Sequence, residues 1–182
     1  AAWRWKKEAI WIVLTAIVVV GLSDYISSGI IKHLVERPRP THDEAIGSLV
    51  HVVNGYRGGS YGFVSSHAAN CFSLALFFVL ITRDKFVGWT LMAWAVLNAY
   101  SRIYLGVHYV GDIIGGTIVG MLIAYGAYEG YNAGCRRRGQ PLAHTYTTPV
   151  IASYSVMLTW LLTCITLMLI SAFTTPQTAP IM

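Results

Sequence analysis

His108 and Asp112 stand four residues apart. On a helix that spacing puts both on one face, where the carboxylate accepts a hydrogen bond from one imidazole nitrogen. The bond fixes the tautomer and leaves the other nitrogen free to attack as a nucleophile. His67 supplies a second imidazole, suited to protonating a leaving alcohol and then activating water. Lys32, Arg39 and Arg102 are three cations in an otherwise apolar chain. Burying three cations together is costly unless an anion joins them, and a phosphoryl group fits: arginine offers a forked donor pair and lysine a point charge. Ser65 and Ser66 precede an apolar run, where a serine caps a helix and the free N–H groups of the first turn point at an anion. The expected chemistry is displacement at phosphorus through a histidine.

Residues so far apart in sequence need elements that carry them to one place. The chain has 182 residues, 55% hydrophobic and 12% charged, against about 25% charged in a soluble domain. That composition predicts an all-α, polytopic transmembrane helical bundle. A membrane span takes about 20 mainly apolar residues. Five stretches qualify: Ala9 to Ile31, His67 to Thr82, Phe86 to about Leu105, His108 to Tyr128 and Pro149 to Phe173. Alternating direction then brings Lys32 to Pro40, Ser65 to His67 and Ser101 to Asp112 to one membrane face. Eight of the 13 Lys and Arg (Arg4, Lys6, Lys7, Arg83, Lys85 and Arg136 to Arg138) fall on the other face, which the positive-inside rule makes cytoplasmic. Within the fourth stretch, Gly111/Gly115 and Gly116/Gly120 place small residues one turn apart for close helix packing.

Other features carry blander readings. His33, His42, His51 and His144 have no evident partner and are read as structural. Cys71 and Cys164 lie in apolar runs and, with Cys135, show no paired spacing, so no disulfide is expected. A metal site on His67, His108 and Asp112 is disfavoured, because three cations repel a divalent ion and no Cys or second carboxylate completes the set. The net charge of +5 is scattered beside apolar spans and gives no nucleic-acid signal. Asp24, inside the first stretch, is either functional or hydrogen-bonded to Ser28 or a neighbouring helix. Arg57 is a loop cation over the pocket, with a solvated side chain as the simpler reading. Arg136 to Arg138 suit anionic cytoplasmic lipid, and Trp3, Trp5 and Trp11 an interfacial belt.

These residues resemble the type 2 phosphatidic acid phosphatase superfamily, which also includes glucose-6-phosphatase and vanadium haloperoxidases. Its first motif, Lys, six residues, Arg-Pro, reads here as Lys32 through Arg39-Pro40; its third, Ser-Arg, five residues, His, three residues, Asp, reads as Ser101-Arg102 through His108 and Asp112. The second, Pro-Ser-Gly-His, reads Val64-Ser65-Ser66-His67 and differs at the proline and the glycine. The resemblance covers Lys32 to Asp112. It implies that Lys32, Arg39, Arg102, Ser65 and the N–H groups of Ser66 and His67 hold phosphate oxygens. It also implies that His108 forms a phosphohistidine, that His67 is acid then base, and that Asp112 orients His108. No cofactor or metal is implied. Membrane members usually have six spans, two before the first motif, whereas one precedes it here. Either two N-terminal spans are missing or the fifth stretch substitutes for them, and the absent initiator Met favours the first.

The expectation is therefore a single integral membrane phosphatase domain over 1–182, with an extracytoplasmic loop at 37–63 over the site and a tail at 174–182. Its substrate would be a lipid phosphate or pyrophosphate, among them undecaprenyl pyrophosphate, lipid A phosphates, phosphatidylglycerol phosphate and phosphatidic acid. Its partners would be membrane lipids, and its place the bacterial inner membrane, site facing the periplasm or exterior. The rival readings are a lipid phosphotransferase and a non-catalytic anion- or lipid-binding membrane protein. The second explains the cations but not the pairing of His108 with Asp112.

Overall fold

The structure is a computed structural model and describes residues 2–140. The expected fifth stretch at 149–173, the tail at 174–182, His144 and Cys164 lie outside the described residues. Five α-helices follow in chain order: α1 (Ala2–Asp24), α2 (Lys32–Val35), α3 (Ser66–Thr82), α4 (Lys85–Tyr104) and α5 (Val110–Arg137). A π-helical segment, Tyr25–Ile31, joins α1 to α2 without a break, so the first stretch continues past its expected end at Ile31. Short 3-10 turns at Pro40–His42 and Val53–Gly55 mark the long loop, and there is no strand among the described residues beyond an isolated bridge between Pro38 and Tyr61.

Two continuous helical stretches are long and apolar enough to cross a membrane, Ala9–Val35 and Val110–Arg137; α3 is shorter but apolar. α1 and α5 face outward with large hydrophobics such as Ile17, Val18, Ile118 and Leu122. A water-facing surface would not tolerate such a band, and lipid does.

Local sequence sets the ends. Ser65, in extended conformation, caps α3 by accepting from Ala68 N at 3.4 Å. Asp84 caps α4 in the same way, accepting from Val87 N at 3.0 Å. Gly106 takes a positive φ of 68° at the break between α4 and α5, and a Cβ there would collide with Val50 Cγ1 at 2.4 Å.

α5 differs from expectation at both ends. It starts at Val110 rather than His108, and it runs to Arg137 rather than Tyr128. The extension follows from packing: Tyr131, Asn132 and Cys135 are buried past the point where hydropathy fades. Arg136 and Arg137 therefore end a helix instead of lying in a loop. The most extensive helix pairing is α3 against α5. Gly116 and Gly120 make it possible, because a Cβ on either would lie 2.3 Å from the Ser65 or Ala69 carbonyl oxygen. Gly111 is not part of that seam; its nearest side chain is Arg37.

The apolar core gathers at the end remote from His108. Ala16 and Val19 of α1 meet Phe77 and Ile81 of α3 and Ala124, Tyr128, Tyr131 and Cys135 of α5. Arg138 stacks over Trp11 there, 4.9 Å from the ring centroid. Cys71 and Cys135 are buried, and no disulfide links them.

Candidate active site

Four chain positions meet at the opposite end: the C-terminal side of the first helical stretch, the loop 36–65, the start of α3 and the α4–α5 junction. The backbone ties them together. Ser65 N donates to the Asp112 carbonyl at 3.0 Å, Arg39 N to Ser60 O at 3.2 Å and Gly62 N to Arg37 O at 2.8 Å.

His108 is buried, two residues before α5. Asp112 lies in the first turn of that helix and is fully buried. The two therefore do not share a helix face, as their spacing had suggested. Asp112 instead folds back over the helix start. Its Oδ2 accepts from Tyr109 N at 2.9 Å and stands 3.2 Å from His108 Nδ1. The expected pair forms through N-terminal capping geometry, in which an acidic side chain satisfies an N–H that has no helical partner. The tautomer that donates Nδ1–H to this carboxylate leaves the lone pair on Nε2. Arg39 Nη1 is 3.4 Å from that Nε2 and also donates to Val107 O at 3.4 Å, while Arg39 Nε donates to Tyr61 O at 3.1 Å.

Lys32 Nζ donates to Ser66 Oγ at 3.2 Å, joining the first stretch to α3. Ser65 accepts from Ala68 N through its hydroxyl oxygen as the cap of α3, which leaves the hydroxyl proton free to donate. Arg102 donates through Nε to its neighbour Ser101 Oγ at 3.1 Å. It is electrostatically close to Arg39 and to His67. His67 is exposed in the first turn of α3, within electrostatic reach of Arg102, His108, Lys32 and Arg39.

Burial holds the His108 imidazole below its usual pKa, with the Asp112 hydrogen bond pulling the other way. Burial likewise lowers Arg39, helped by Arg102 and opposed by Tyr56 and Asp112. Tyr109 donates its hydroxyl to Asp43 Oδ2 at 2.8 Å, which holds Asp43 below the ordinary carboxylate range and pins the long loop to the start of α5.

The sequence motifs give Arg37 no role. The structure pairs its Nη2 with Asp112 Oδ1. No periodicity exists in the loop to separate it from Arg39, and its one visible signal is a second Arg-Pro step directly before Arg39-Pro40. Asp24 takes the hydrogen-bonded option: Ser28 Oγ and Asn70 Nδ2 both lie 3.4 Å from its Oδ1. His33 meets the Tyr61 ring edge-on at 6.2 Å and His42 Nδ1 is 3.1 Å from Thr41 Oγ1, so both have partners that the sequence did not reveal. Arg57 is exposed, and its carbonyl accepts from Thr41 Oγ1 at 2.8 Å. Among the described residues, no three His, Cys, Asp or Glu side chains converge as a metal ion would require.

Known proteins share this arrangement of sequence and fold. The family described as PAP2 superfamily matches residues 9–134. The lipid A 4'-phosphatase of Porphyromonas gingivalis is 44% identical over 125 residues, 69% of this chain and 53% of that protein. The lipid A 4'-phosphatase of Bacteroides thetaiotaomicron is 40% identical over 118 residues, 64% of this chain and 52% of its own. The chain spans about half the length of these curated relatives. The crystal structure of a transmembrane PAP2 type phosphatidylglycerolphosphate phosphatase from Bacillus subtilis covers 66% of this chain and 59% of that one, with TM-score 0.52 and 28% identity.

Proposed function

The chain belongs to the PAP2 superfamily, and on that premise we propose that it is a membrane lipid phosphatase working through a phosphohistidine. The observation that carries this reading is the orientation of His108. Its Nδ1 faces a buried carboxylate, and its Nε2 faces a guanidinium in a group of cations. A non-catalytic anion binder has no use for that order.

The steps follow from the groups present. Lys32, Arg39 and Arg102, with the N–H groups at the start of α3, hold the phosphoryl oxygens. His108 Nε2 attacks phosphorus, and the bond from phosphorus to the lipid oxygen breaks. His67 gives its proton to that oxygen. A water molecule, losing a proton to His67, then attacks phosphorus; the phosphorus–nitrogen bond breaks and inorganic phosphate leaves. Asp112 keeps His108 in the attacking tautomer throughout and offsets the charge on the phosphorylated ring.

The substrate class is a phosphate or pyrophosphate on a lipid head group, with a lipid A 4'-phosphate the first to try. In this reading α3 and α4 cross the membrane beside the two longer stretches. The site faces the periplasm or exterior of a bacterial inner membrane. The test is phosphate release by the purified protein from a panel of lipid A, undecaprenyl, phosphatidylglycerol and phosphatidic acid phosphates, with and without chelator. Release from at least one lipid, unaffected by chelator and absent in His108→Ala, is expected. Chelator-sensitive turnover, or turnover that survives the substitution, overturns the reading.

A further inference from the structure

Two arginines flank Pro38, and the site uses them on opposite sides of one hydrogen-bonded pair. Arg39 reaches the reacting nitrogen of His108. Arg37 reaches the far oxygen of Asp112. We propose that Arg37 is a positioning residue for the nucleophile: it acts through Asp112, not on phosphate. This rests on the reading of His108 as the nucleophile.

Asp112 has two oxygens and no access to water. Oδ2 is taken by His108 Nδ1 and Tyr109 N; Oδ1 is taken by Arg37 Nη2. A buried carboxylate stripped of its cation is strongly disfavoured where it stands. Without Arg37 on Oδ1, that side of the carboxylate has no partner and Oδ2 can turn away from His108 Nδ1. The imidazole proton can then sit on Nε2, which abolishes the lone pair that attacks phosphorus. Arg37 thus governs the tautomer of His108 from two bonds away.

The surroundings of Arg37 suit a fixed part and not a mobile ligand-catching one. Its guanidinium carbon lies 5.2 Å from the Phe63 ring centroid and 4.8 Å from that of Tyr109. Aromatic faces hold a planar guanidinium in a set orientation, and a lysine ammonium cannot stack in that way. Its own carbonyl accepts from Gly62 N at 2.8 Å, which anchors the backbone as well. Arg39, by contrast, reaches across to Tyr61 O, Val107 O and the imidazole.

The experiment uses the full chain in lipid nanodiscs, a lipid phosphate that the wild type turns over, and orthovanadate as the phosphate-site probe. Arg37→Gln is expected to lower kcat by about 10²-fold while KM and the vanadate inhibition constant stay within about twofold. Arg37→Lys is expected to recover part of kcat, because charge returns but the fork does not. Arg39→Gln is expected to weaken vanadate inhibition about tenfold or more. If Arg37→Gln weakens vanadate as much as Arg39→Gln does, Arg37 is a phosphate ligand and the proposal fails; an unchanged kcat also ends it.

Should Arg37→Gln not fold, a cycle of Arg37→Lys and Asp112→Asn decides. The double variant should be no slower than Asp112→Asn alone, whereas multiplying losses mean that Arg37 acts independently and overturn the proposal. His108→Ala is assayed in parallel. Turnover in that variant removes the nucleophile assignment, a failure distinct from any result at Arg37.

Discussion

The two ends of the bundle are built on opposite principles. At one end Phe77, Ile81, Ala124 and Tyr128 fill the space between helices with carbon. At the other, Ser65, His108 and Asp112 are buried, with Ser66 and Thr41 beside them, and what fills the space is hydrogen bonds and charge. The same helices, α3 and α5, run through both. The apolar end fixes their separation and angle through packing. The polar end cannot do so, because several half-buried cations and one buried carboxylate leave an excess of positive charge that packing cannot offset. The comparison teaches a division of labour: one end holds the helices so that the other can keep groups that would separate if left to themselves.

That division can be broken from either side. The largest effect is expected from His108→Ala, which should cost about 10³-fold or more in kcat while leaving the apolar end and thermal stability nearly as they were. A loss of fold instead would mean that the polar end is structural. Next comes acidity. Only neutral His108 has a free Nε2, and its pKa is held below the ordinary value, first by burial. The His108 limb of kcat/KM should therefore hold steady down to a pH below about 6.5 and then fall about tenfold per unit, while the acid His67 sets the opposite limb. An imidazole nitrogen titration by NMR separates this limb from ionisation of the substrate.

At the apolar end, Phe77→Ala should lower stability by about 1–3 kcal/mol. That is less than in a water-soluble core, because lipid is as apolar as the site it leaves and the cavity is the main cost. Melting in detergent measures it, and the folded fraction should turn over substrate at the wild-type rate. The smallest effect is expected from Trp11→Ala, which removes the Arg138 stack and should cost about 0.5–1 kcal/mol with no change in kcat. A substantial loss of kcat in either of these last two variants would show that the ends are coupled and not divided.

Much of this was legible beforehand, for different reasons at different places. Lys32, Arg39, Ser66, His67 and His108 lie near one another because helices that alternate direction must return their ends to the same level, and hydropathy locates helices well. The pairing of His108 with Asp112 was foreseen, but by the wrong geometry. The four-residue spacing suggested a helix face, and the structure forms the bond across a helix start, where the N–H of Tyr109 needs an acceptor. Arg37 was not legible. Irregular loops have no repeat to say which way a side chain points, and two arginines two residues apart look equivalent until the carboxylate and the rings of Phe63 and Tyr109 sort them. The length of α5 was underestimated because hydropathy sees lipid and not neighbours: Tyr131 and Cys135 continue the helix by packing.

The π-helical segment Tyr25–Ile31 has a consequence for Lys32, the residue that follows it. Each residue in a wide turn advances the chain through a smaller rotation than in an ordinary one. The segment therefore shifts the phase of everything downstream. A wheel drawn from the periodicity of α1 places Lys32 in the wrong direction, and deleting a single residue from the segment would swing its ammonium off Ser66 while leaving every motif in the sequence intact.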